Sequence, residues 1–146
     1  MLSWPLRLIY TAVLSVLIAL SVLIALTVLI GNAQAATGSW SSQLPGLMVA
    51  MSDRASASQT VTAPKGANVQ AGQLERIHWQ FQHPPGAQLN AWLCHPEQCV
   101  ALTGMRGSTT ALAGRTANAP LHFRFSLSPG QRPVRVQGLQ MIVNYQ

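Results

Sequence analysis

Apolar and polar positions along this chain follow two regimes. From Leu8 to Ile30 the sequence is almost unbroken hydrocarbon, with Arg7 the only charge ahead of it. Gly31 and Asn32 interrupt that run, and beyond Gly38 the apolar residues recur at every second position in short stretches separated by turn residues. A continuous apolar run suits an export signal or a membrane helix, whereas period-2 alternation marks strands with one buried face. Ile77, Trp79 and Phe81 share one face of such a strand, with Arg76, His78, Gln80 and Gln82 on the other, and Pro84-Pro85-Gly86 ends it. Leu121, Phe123, Phe125 and Leu127 repeat the pattern, with His122, Arg124 and Ser126 facing out, before the turn at Pro129-Gly130. Leu47, Val49 and Met51 alternate after Pro45-Gly46.

Two stretches depart from simple alternation. Between Ser52 and Gly72, Val61 and Val69 are the only strong apolar anchors, which predicts weak edge strands or a loop. In the last segment Val134 and Val136 occupy even positions while Leu139, Met141, Val143 and Tyr145 occupy odd ones, with Gly138 at the switch. A glycine at a phase change predicts a β-bulge that bends the strand and keeps its apolar side inward. No stretch beyond Gly38 has the pattern of a long amphipathic helix. About seven short strands at this spacing predict an all-β fold, a small antiparallel sandwich or barrel-like domain.

The apolar leader sets the compartment. Its length from Leu8 to Ile30 would extend about 34 Å as a helix, enough to cross a hydrocarbon core of about 30 Å. Yet Ser15-Val-Leu-Ile-Ala-Leu20 recurs as Ser21-Val-Leu-Ile-Ala-Leu26, and a third copy starts at Thr27. Without two of these units the run would be about 11 residues, the length of a signal-peptide apolar region. Ala33-Gln34-Ala35 supplies the small residues that signal peptidase reads. We expect an export signal over residues 1–35, cut after Ala35, and a single domain over 36–146; a retained anchor is the alternative.

Cys94 and Cys99 are the only cysteines. They flank His95-Pro96-Glu97-Gln98, between two strand-like stretches, Leu89 to Cys94 and Cys99 to Thr103. A hairpin looped at those four residues sets Cys94 opposite Cys99, Leu93 opposite Val100 and Trp92 opposite Ala101. Directly opposed residues lie within disulfide reach. Ala91, Leu93, Val100 and Leu102 then take the core face, with both cysteines and Trp92 on the other. A structural disulfide is the expectation for an exported chain. A redox pair would favour Cys-x-x-Cys spacing, and zinc would need more ligands than His95 nearby.

Charge narrows the partners. Nine Lys and Arg against Asp53, Glu75 and Glu97 give a formal net charge of +6. The basic residues are scattered singly, unlike a polybasic tail, and export argues against nucleic acid. Three scattered acids, no Gly-x-Ser-x-Gly elbow, no phosphate loop and no His-x-x-x-His pair argue against an enzyme or a small-molecule substrate. No catalytic, cofactor or metal residue is assigned. A binding module remains, with Trp92 as a candidate anchor and Arg76, His78, His122, Arg124 and Arg135 as a basic, His-containing surface if their strands adjoin. A second class of binder would offer an edge strand to a client, and Ser52 to Gly72 is the candidate edge.

Several short motifs together resemble the FlhE family of periplasmic flagellar accessory proteins. They are Leu93-Cys94-x-x-x-x-Cys99-Val100-x-Leu102-x-Gly104, then Gly107-Ser108-Thr109-Thr110, Pro120-Leu121-x-Phe123 and the terminus Ile142-Val143-Asn144-Tyr145, with Gly38-Ser39-Trp40 near the start. The resemblance implies a β-rich periplasmic protein that limits proton leakage through the flagellar type III export apparatus and influences swarming. It also implies basal-body or export-apparatus proteins as partners, with the membrane touched only through an uncleaved leader. A chaperone-like role toward exported rod or hook subunits is the alternative it carries.

Overall fold

A strand with one apolar face must bury that face against another layer, and the alternating runs of this chain do so in two sheets. The structure is a computed structural model that describes residues 4–28 and 37–146, with side chains of the N-terminal helix described from 8 to 21. The chain divides into two units, Met1–Gln34 and Ala35–Gln146. The first holds α1 (Trp4–Val28). Thr11, Ser15 and Ser21 donate their hydroxyls to the carbonyls of Leu8, Ala12 and Ile18 at 3.0, 2.8 and 2.8 Å, so these polar groups are satisfied within the helix itself. Among the described residues no helix is long and apolar enough to cross a membrane. The expected cleavage site at Ala33 and Ala35 lies outside the described residues.

Among its described residues the second unit contains nine strands: β1 (Gly38–Leu44), β2 (Leu47–Val49), β3 (Ser56–Ala57), β4 (Leu74–Gln82), β5 (Leu89–His95), β6 (Gln98–Leu102), β7 (Arg106–Thr109), β8 (His122–Leu127) and β9 (Val134–Tyr145). One sheet has the order β1-β9-β4-β7, with β2 continuing the line of β1 along β9; the other has the order β3-β8-β5-β6. Every pairing is antiparallel. The two sheets share no strand, which makes the fold a sandwich rather than a barrel.

The core is what the alternation predicts. Ile77, Trp79 and Phe81 of β4 meet Phe123, Phe125 and Leu127 of β8, all 5% exposed or less. Phe81 stands nearly perpendicular to Phe125 with ring centroids 5.1 Å apart, and edge-on to Phe123 at 6.3 Å, linking the two sheets. Such edge-to-face pairs add about 0.5–1.5 kcal/mol beyond the area they bury. Val136, Leu139, Met141 and Val143 of β9 complete the first sheet's inner face.

The phase switch in β9 is a bulge, as the sequence predicts. Gln80 pairs with Gln140 but Gln82 pairs with Gln137, so Phe81 faces two residues, Gly138 and Leu139. Gly138 has φ +63°, in the left-handed region that residues with a Cβ enter at a cost. On the other side of β9, Pro45 and Gly46 interrupt the line from β1 to β2 at the same level.

Two assignments of side do not hold, one inward and one outward. β2 ends at Val49 and leaves Met51 46% exposed, because the chain there crosses to the other sheet, where the Met51 carbonyl accepts from the Leu127 amide. Ser126, expected outside, is buried at that same end of β8. The sparse stretch from Ser52 to Gly72 forms only the two-residue edge strand β3 and a bridge from Val61 to Leu121.

Gly138→Val should lower unfolding stability by about 1–3 kcal/mol, the usual cost of a strained backbone position. Urea denaturation would show this as a lower midpoint with an unchanged slope.

Candidate functional site

The hairpin of β5 and β6 has the register read from the sequence: Cys94 opposite Cys99, Leu93 opposite Val100, Trp92 opposite Ala101. Cys94 and Cys99 are bonded, with Cα atoms 4.0 Å apart. A loop this short gives a disulfide contribution of about 2 kcal/mol in the chain-entropy picture. Cys99 is exposed, but Cys94 is only 1% exposed, so the outer face is closed over it. Cys94 lies between its bonded partner on β6 and His122 on β8, which explains the closure.

Three candidate residues gather on this outer face of the second sheet. Trp92 is paired with Arg124, and His122 with Cys94; the Arg124 guanidinium lies 3.9 Å from the Cys99 sulfur. Trp92 and His122 are half-buried and Arg124 is exposed. Burial, with Arg124 adding like charge, holds the His122 imidazole below its ordinary value of 6.5.

The tip of the hairpin is tied down by residues that periodicity and spacing did not single out as site residues. His95 is buried. Its Nε2 lies 3.1 Å from the Thr116 carbonyl and its Nδ1 accepts from the Glu97 amide at 3.2 Å, an arrangement that places the ring proton on Nε2. Arg115 bonds Glu97 at 2.6 Å and the Gln98 side-chain oxygen at 3.1 Å. The same loop bonds to the other sheet, since the Arg115 carbonyl accepts from Leu74 and the Gly114 amide donates to the Leu74 carbonyl. His95 therefore serves as a structural clasp. Among the described residues, no group of three His, Cys, Asp or Glu is placed to hold a metal ion.

Arg76 and His78 lie elsewhere. They occupy the outer face of β4, in the first sheet, on the opposite side of the sandwich from His122 and Arg124. Arg135 shares the first sheet but sits seven residues along β9 from Ile142, the partner of His78, roughly 20 Å away. The five basic candidates therefore do not form one face. The expectation depended on β4 and β8 adjoining, and strand order puts them in different layers.

The outer face of the first sheet instead carries a groove of about 390 Å³. His78 and Gln80 of β4, Gln140, Ile142 and Asn144 of β9, and Arg106 of β7 line it. Pairing sets Gln43, Gln140, Gln80 and Arg106 in one row across four strands, with Ser41, Ile142, His78 and Ser108 in the next. Arg76 reaches over β7 to bond the Ser108 hydroxyl at 3.3 Å. No carboxylate lines the groove, so its chemistry is that of amide donors and acceptors rimmed by cations. Gln80 was placed on the outward face by its strand's alternation, whereas Arg106 went unremarked because β7 has no apolar alternation to announce a strand.

Comparison with known proteins places this arrangement. Residues 46–146 match the family described as Flagellar protein FlhE. The chain belongs to the FlhE family. It is similar to Flagellar protein FlhE of Escherichia coli (strain K12), at 35% identity over 80 residues that make up 51% of this chain and 62% of that protein. The chain thus aligns with less than two-thirds of that relative's length. Flagellar protein FlhE of Yersinia enterocolitica is 29% identical over 117 residues, 75% of this chain and 82% of that one. A crystal structure of FlhE superimposes with a TM-score of 0.68 at 27% identity, covering 77% of this chain and 99% of the other. FlhE is a flagellar accessory family and not a known enzyme family.

Two outcomes follow from this geometry. His95→Phe should remove both hydrogen bonds of the clasp and lower stability by about 1–3 kcal/mol, read as a reduced urea midpoint. The lowered pKa of His122 means that the unfolded chain binds more protons than the folded one as pH falls below 6.5. Folded stability should therefore fall as pH drops through that window toward the lower folded value, and His122→Gln should flatten this slope in denaturation series from pH 7.5 to 5.

Proposed function

We propose that this chain works in the periplasm as a non-catalytic accessory of the flagellar type III export apparatus, where it limits proton leakage and thereby influences swarming. Membership of a flagellar family over residues 46–146 carries this reading. The apolar segment from Leu8 to Ile30 ahead of small residues at Ala33 and Ala35, and a disulfide that suits an oxidising compartment, support the location. The cation-rimmed outer face of the first sheet and the cluster of Trp92, His122 and Arg124 on the second are the surfaces offered to basal-body or export-apparatus proteins.

The alternative, a chaperone that holds exported rod or hook subunits on an edge in Ser52 to Gly72, has less support. That segment presents two strand residues, too few to template a client strand. Cytoplasmic pH, read with a ratiometric reporter in cells lacking this protein, tests the main reading. Acidification is expected when the export apparatus is assembled and not when it is absent; unchanged pH in both backgrounds would overturn it.

A further inference from the structure

The first sheet ends in β1 on one side and in the four-residue β7 on the other, and the groups that β7 displays are those of a half-finished binding site. Because the Phe81 amide donates to the Met105 carbonyl at 2.9 Å, the antiparallel alternation turns Gly107 and Thr109 toward β4. The N–H and C=O of Arg106 and Ser108 then face away from the sheet, and no strand or loop among the described residues pairs with them. The side chains of these same two residues lie on the outer face. Arg106 is exposed and makes no ion pair, and the Arg76 guanidinium lies over Ser108. The only ion pair among the described residues, Glu97 with Arg115, is at the hairpin tip of the other sheet. Glu75, at the bulge beside Arg76, is the sole acid on β4 and engages neither arginine.

The intervening residue completes the pattern. Gly107 faces inward, where a Cβ would come within 2.5 Å of the Trp79 indole, so the ring fills the place of the missing side chain. Trp79 is held there by its Nε1, which donates to the Gly104 carbonyl at 3.3 Å. At Gly107 the sheet's inner face is therefore filled by the Trp79 ring, 5% exposed, instead of by a side chain of β7.

We infer that β7 binds an extended acidic segment of a partner protein as an added antiparallel strand, with carboxylates at alternate positions and an apolar residue between them. Residues opposite Arg106 and Ser108 point to the outer face, where directly opposed side chains approach to about 4.5–5.5 Å. One carboxylate meets Arg106 and the other meets Arg76 above Ser108, each with charge-assisted hydrogen bonds. The residue between them lies opposite Gly107, on the inner side of the edge, beside the largely buried Trp79 ring. Backbone bonds supply affinity and the two arginines supply sequence preference. A short strand bearing charge is also how sheets protect an edge from pairing, so binding must be shown to discriminate by sequence. The inference is independent of proton leakage and stands or falls separately from it.

The test uses the full chain in mild detergent and three synthetic peptides. These are acetyl-Thr-Glu-Val-Glu-Thr-amide, its counterpart with lysine for both glutamates, and the acidic peptide N-methylated at both glutamates, whose amides would bond to β7. Hydrogen exchange resolved to single amides is the readout. The acidic peptide should slow exchange at Arg106 and Ser108 at least tenfold, and the other two should not. Arg76→Gln combined with Arg106→Gln, both exposed positions, should weaken peptide binding tenfold or more with an unchanged circular dichroism spectrum. Equal binding of the lysine peptide, protection at a different edge, or no protection at millimolar peptide would overturn the proposal. Protection that appears without peptide as protein concentration rises would also overturn it, by making a second copy of the chain the occupant.

Discussion

Two sheets that share no strand are held together by what their inner faces bury and by the loops between them. In this domain the centre of that interface is one aromatic group, Phe81 from the first sheet against Phe123 and Phe125 from the second. Strand register around these rings is constrained, since slipping either β4 or β8 by one residue would point His78 or Arg124 into the core. The polar outer faces are thus set by the apolar inner ones. Each groove or cluster on the surface sits where it does because the residue beside it in sequence had to turn inward.

The long strand β9 transmits this constraint across the first sheet. It pairs with β1, β2 and β4, and a single extra residue at Gly138 lets its two halves keep the same side buried. The amide row of Gln43, Gln140 and Gln80 lies just past that bulge. At the other end of the sandwich, the loop through Arg115 and Thr116 bonds both the hairpin tip and the start of β4. A core group and a polar strap therefore join the sheets at separate points, one by dispersion and exclusion of water, the other by directed hydrogen bonds.

Local features of this architecture were readable in the chain; non-local ones were not. The faces of β4 and β8, the hairpin register around Cys94 and Cys99, and the bulge at Gly138 all follow from period 2 and from turn chemistry, which involve neighbours in sequence. The grouping of Arg76 and His78 with His122 and Arg124 failed because periodicity says which side of a strand a residue takes and nothing about which sheet the strand joins. β7 was silent for a different reason. Its residues Arg106, Gly107, Ser108 and Thr109 include no large apolar side chain, and the place of one is filled by Trp79 from the neighbouring strand. The role of His95 was hidden likewise, because its partner Thr116 is brought to it by the fold.

The pairing of Gly38 with Tyr145 brings the point where the chain enters the sandwich next to its last strand residue. A force applied between those two points would act across the β1–β9 ladder, opening its hydrogen bonds one after another in the manner of a zipper instead of loading them together in shear. Along the line joining Gly38 and Tyr145, then, the domain resists with one rung of the ladder at a time. Tension transmitted through both would strip β1 away before it disturbed the aromatic centre, exposing the flank of β9 while β4, β5 and β8 stayed packed.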